Sequence, residues 1–239
     1  SNDNSFKHLY DLKNQLDFDL VKNDNDKSLS DAFNFGAEYI SRSIKPDFFI
    51  CLNNDTKIIS KSFIIDVIKT YNEYSFDILG PKIITGLYRN QNPYKSLYDI
   101  FGPNWKLDFL DILYKKLRFL NYSNKFKVLV YYFLKDLRNI ISGILNSIKD
   151  IFRDLLGLDK VKINVGLHGS VLIFSKKHFR LMGYLFFPKK HFFLEEDILH
   201  EMIRKNEGRL VYNPSIVVRH KGDSSTNKKY ILKKEKDLW

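Results

Sequence analysis

Carboxylates gather at two places in this 239-residue sequence, each where an apolar run ends. Leu52-Asn53-Asn54-Asp55-Thr56 follows Phe48-Phe49-Ile50-Cys51, and Glu195-Glu196-Asp197 follows Phe192-Phe193-Leu194. A carboxylate at the edge of a core can hold a divalent cation against a diphosphate and so help that diphosphate depart. Asp55 is the candidate for this task. Three consecutive carboxylates repel one another, which raises at least one pKa toward the range of a general base. Glu196 or Asp197 is the candidate base, with Glu195 beside it. Both motifs have plainer readings. Residues 53–56 can be a polar turn and helix cap, and acids in a first helical turn are favoured by the helix dipole.

Two further groups could join such a site. His220 ends the apolar run Ile216-Val217-Val218, where a neutral imidazole can bind a metal or meet a phosphate. Gly166-Leu167-His168-Gly169-Ser170 is a small-residue turn that a ligand could approach closely. An ordinary strand-end histidine and a plain turn are the competing readings.

The elements that must position these residues follow from periodicity. Helical spacing covers 6–16 and 31–43, the latter capped by Ser30 or Asp31, and a third helix is expected over 63–71. Continuous apolar runs predict buried strands at 48–52, 76–79 and 171–174, the second stopped by Gly80-Pro81. Phe18-Asp19-Leu20-Val21 reads as a short strand, and 210–212 and 216–218 as two strands either side of Asn213-Pro214. Residues 88–103 read as loop. A helix is expected over 198–205, ended by Gly208. Strands alternating with helices predict an α/β fold with a mostly parallel sheet.

The stretch 105–160 breaks that alternation and reads as a helical insertion between two halves of one domain, 1–104 and 161–239. Leu134, Leu137, Ile141, Ile144, Ile148, Ile151 and Leu155 follow in alternate steps of three and four, a heptad-like seam. Lysines and arginines decorate the same segment. The seam fits packing on its own domain, packing on a second copy in a homo-oligomer, or contact with an anionic membrane.

Bulk properties narrow the class. The single cysteine, Cys51, excludes an intrachain disulfide and suits a strand interior in a reducing compartment. The net charge of +11 fits phosphorylated ligands, an anionic membrane or nucleic acid, but no nucleic-acid motif is present. Abundant lysine, asparagine and isoleucine make part of that charge compositional. No signal peptide opens the sequence, and no apolar stretch reaches the ~18–20 residues of a membrane span. A cytoplasmic protein, or one at the inner face of the cell membrane, is expected.

The order of these motifs resembles the family 2 glycosyltransferases of the GT-A fold, especially bacterial members that build surface polysaccharides. The resemblance covers most of 1–87 and 163–225. It implies an inverting transferase that moves a sugar from a nucleotide-sugar donor to a saccharide acceptor, free or lipid-linked, with Mg²⁺ or Mn²⁺. It assigns Asp3 to the nucleotide, with Asn34, Asn53, Asn54 and Asp55 on the donor side. Asp55 and His220 become metal ligands, His168, Gly169 and Ser170 line the acceptor side, and the base lies in Glu195-Glu196-Asp197. Three positions depart from the family pattern: Asn53 replaces the first acid of the metal motif, Ser28 replaces a glycine, and no hydrophobic strand with a Thr-Tyr-Asn-like loop precedes Asp3. The last departure implies a truncated chain, or one completed by a piece from elsewhere. The alternative is a non-catalytic, transferase-like binding or scaffold protein.

Overall fold

Residues 5–23, 28–86, 89–94, 124–187 and 195–221 are described by a computed structural model. In chain order the elements are α1 (Ser5–Lys13), α2 (Leu29–Ser41), β1 (Phe48–Leu52), β2 (Thr56–Ile58), α3 (Phe63–Tyr74) and β3 (Ile78–Ile84). Then follow α4 (Asn124–Leu155), β4 (Lys162–Ile163), β5 (Val171–Ser175), α5 (Lys176–Met182), α6 (Glu195–Lys205) and β6 (Leu210–His220). The α2 helix starts two residues earlier than its pattern suggests, because Ser28, and not Ser30 or Asp31, caps it: the Ser28 hydroxyl accepts the Asp31 N–H at 3.1 Å.

The protein is α/β, but its sheet is mixed and mostly antiparallel, which corrects the expected parallel sheet. The strand order is β1-β5-β3-β6-β2, with β4 also on β6. Among the described strands only β3 and β6 run parallel. The pairs β1–β5, β3–β5, β2–β6 and β4–β6 are antiparallel. An apolar run reports that both faces of a strand are covered and carries no information about its direction. Strands from the two ends of the sequence interleave, so one sheet unites them.

Both faces of the sheet are buried. On one, Phe49, Cys51, Ile78, Leu172, Phe174 and Tyr212 pack against Ala37 of α2 and against Leu199 and Ile203 of α6. On the other, Leu79, Ile83, Ile173, Val211 and Val218 pack against Phe63 and Val67 of α3. Burial pushes the Cys51 thiol well above its ordinary pKa, as a core residue requires.

Two prolines expected to break strands lie inside them. β3 continues through Gly80-Pro81, and β6 runs unbroken through Asn213-Pro214. The β3–β6 register jumps from Pro81↔Asn213 to Lys82↔Val217, so the prolines sit at a bulge where a missing N–H is tolerated. Gly80 is needed for space: a Cβ there would lie 2.6 Å from Leu167 Cδ2. Residues 18–21 form no strand, and the part of the insertion before residue 124 lies outside the described residues, as does Asp3.

Candidate active site

The antiparallel pairing assembles the site. Leu52 pairs with Val171, so the exit of β1 stands beside the entry to β5, and the Asn53 N–H donates to Ser170 O at 2.9 Å. Thr56 pairs with His220, which brings the end of β6 to the same edge. The Thr56 hydroxyl and amide donate to Asn53 O at 2.6 and 3.1 Å and close the turn. The Lys221 N–H donates to Asp55 O at 2.9 Å. Residues 53–56 are therefore a polar turn, and that turn presents Asp55 to His220.

His220 Nε2 lies 3.3 Å from Asp55 Oδ1, and its Nδ1 lies 2.8 Å from Gln91 Oε1. The imidazole is held between an amide and a carboxylate, so Nε2 can donate to Asp55 Oδ1 or, together with Asp55, face a cation. Two neighbouring ligands of one octahedral ion, each at ~2.1 Å, are about 3.0 Å apart, close to the observed spacing. Asn53 Oδ1, at the same strand end, is buried with no hydrogen-bond partner. Among the described residues no group of three or more His, Cys, Asp or Glu side chains surrounds one point. Asp55 and His220 are the two side chains here that could contribute ligands to a divalent cation.

The candidate base is held by the turn that precedes β5. Glu195, Glu196 and Asp197 occupy the first turn of α6, so the dipole reading and the clustering reading hold together. The Gly169 N–H donates to Glu196 Oε1 at 3.0 Å. The approach needs glycine, since a Cβ at 169 would come within 2.6 Å of that oxygen. Burial raises the Glu196 carboxyl above its ordinary pKa. The Glu195 charge adds to this, and the Glu196 and Gly169 backbone N–H groups offset part of it. Asp197 differs from its neighbour, for Tyr94 donates its hydroxyl to Asp197 Oδ1 at 2.6 Å.

His168 links the two groups. Its ring centroid is 5.8 Å from that of His220, and its Nδ1 accepts the Ser170 N–H at 3.2 Å. With Nδ1 accepting, a neutral His168 carries its proton on Nε2. The His168 N–H donates to Asn92 Oδ1 at 2.7 Å, and Asn92 Nδ2 donates to Pro81 O at 2.8 Å, tying the turn to β3. Beyond Tyr94 opens a cleft of about 610 Å³ with Asn92, Tyr94, Asp150, Asp159 and His200 in its walls. Its lining includes Tyr94 but not Glu196, Asp55 or His220.

The structure thus gathers Asp55, His220, His168, Gly169, Ser170, Glu196 and Asp197. Asn54 is exposed on the turn. Asn34 lies elsewhere: its Oδ1 accepts the Leu185 and Phe186 N–H groups at 2.9 Å each, and its Nδ2 donates to Phe186 O at 2.7 Å. Its amide holds a loop and has little left for a nucleotide. The aromatic run 192–194 lies outside the described residues. Gln91, Asn92 and Tyr94 were missed by reading 88–103 as plain loop. The amide-dense string Asn90-Gln91-Asn92-Pro93-Tyr94 was the available signal.

No protein-family model matches the chain, and no curated protein is significantly similar to it.

Proposed function

We propose that the chain is a metal-assisted inverting glycosyltransferase with a nucleotide-sugar donor and a saccharide acceptor, free or lipid-linked. The observation that carries this reading is the meeting, at the same ends of the strands, of the Asp55–His220 pair and a half-buried carboxylate of raised pKa. The two have separate tasks. Asp55 and His220 would hold Mg²⁺ or Mn²⁺, which offsets the charge that develops on a departing diphosphate. Glu196 accepts the proton of the acceptor hydroxyl as that oxygen bonds to the anomeric carbon and the bond to the diphosphate oxygen breaks. Burial suits Glu196 to this better than Asp197, which Tyr94 engages. Glu195 raises the basicity of its neighbour by its charge. Gly169 fixes the carboxylate, and the cleft beyond Tyr94, walled by charged side chains together with Asn90, Asn92 and Asn164, offers hydrogen-bond partners for a saccharide. The GT-A relationship itself remains part of the proposal, supported by motif order rather than by strand direction.

The test is Glu196→Gln. Loss of a positioned general base lowers transfer by about 10²–10⁴-fold. Nucleoside diphosphate binding with Mn²⁺ should stay near wild type, since Glu196 does not touch the metal edge. Transfer at the normal rate would remove Glu196 from the mechanism. A second reading, a non-catalytic binding protein, is favoured by the occupation of Asn34 in holding its loop. It predicts no transfer by the wild type from any nucleotide-sugar.

A further inference from the structure

Helix α4 sits on the domain by its polar side. Asp150 Oδ2 accepts the Asn90 N–H at 2.9 Å, and Asp154 pairs with Lys82, which is only 5% exposed. Ser147 on the same side is buried. The helix therefore cannot roll its other face inward without stranding a buried lysine. That other face is the apolar seam. Leu137, Ile141, Ile144, Ile148, Ile151 and Leu155 are all exposed, from 38% at Ile151 to 77% at Leu155.

This face is wider than the seam of a two-stranded coiled coil. At 100° per residue, Ile140, Leu145 and Phe152 widen it to an arc of about 140°, beyond the narrow stripe of a coiled coil. They also occupy the flanking positions where paired helices carry opposite charges. No described helix is long and apolar enough to cross a membrane. The charges instead match an anionic surface: Asp150 and Asp154 are turned inward and bonded, Lys149 stays exposed, and the chain carries +11. We propose that the outward face of α4 seats the protein on an anionic lipid surface, lying in its interface. This does not rest on the transferase reading.

The test uses the whole chain with sedimented vesicles of phosphatidylcholine alone or mixed equally with phosphatidylglycerol. The wild type should bind the anionic vesicles and lose affinity between about 50 mM and about 500 mM salt. Ile144→Asp with Ile148→Asp should weaken that binding by about 100-fold. The thermal midpoint should not move, because both side chains are exposed. Three results would overturn the proposal. They are no binding of the wild type to anionic vesicles, a wild-type dimer that the double substitution dissociates, and a lowered midpoint showing that other parts of the chain cover this face.

Discussion

Gly169→Ala separates the placing of the base from the stability of the fold. The new Cβ lies 2.6 Å from Glu196 Oε1 and 3.1 Å from its Cδ and Cγ, while ordinary contact begins at 3.4 Å. The carboxylate must retreat by about 0.8 Å, judged from those two distances. It is the far end of a flexible side chain, so the retreat costs little beyond the weakened bond to the Gly169 N–H, about 1–2 kcal/mol. Gly169 is not among the positive-φ glycines, so alanine adds no backbone strain. A misplacement near 1 Å is worth about 100-fold in rate. The assay is nucleoside diphosphate release from UDP-, GDP- and dTDP-sugars with acceptor, beside urea unfolding. The expected result is a chain nearly as stable as wild type and about 100-fold slower. A variant within about threefold of the wild-type rate would refute the claim that Gly169 positions a base.

Lys82→Met leaves Asp154 and Asp159 facing each other without their buried cation, so urea unfolding should show a loss of about 3–5 kcal/mol. Asn34→Ala should lower stability by about 2 kcal/mol through the orphaned Leu185 and Phe186 amides, yet leave nucleotide affinity unchanged in calorimetry. Glu196→Gln should stabilise the fold in a pH-dependent way. Burial raises the Glu196 pKa from 4.5, so its contribution is fully present below that value and lost as pH rises through the folded pKa. The advantage of glutamine in thermal melts should therefore grow as pH rises above 4.5 and then level off, whereas a constant difference would contradict a carboxyl whose pKa is raised in the fold.

The elements were legible where one periodicity dominated. Phe48–Leu52 and Phe63–Tyr74 follow from an apolar run and a helical stripe. Strand direction was not, because Val171–Ser175 is equally apolar whichever way it runs. Gly80-Pro81 and Asn213-Pro214 read as stops only because each hides the other: the two strands share one bulge. Asp55 and His220 were both visible as candidates, but their meeting depends on the Thr56↔His220 pairing, a long-range contact no local pattern encodes. The amphipathic character of 124–155 was plain from its spacing. Which side faces the domain was not, since Lys82 and Asn90 decide it from far upstream.

The central claim is a metal–diphosphate edge at Asp55 and His220 beside an independent base at Glu196. Calorimetry of the chain with UDP, GDP and dTDP, with and without Mn²⁺, tests it most directly. The account predicts Mn²⁺-dependent binding of one of the three, lost in Asp55→Asn and kept in Glu196→Gln. Binding that ignores Mn²⁺ or survives Asp55→Asn would contradict it, as would no binding of any of the three.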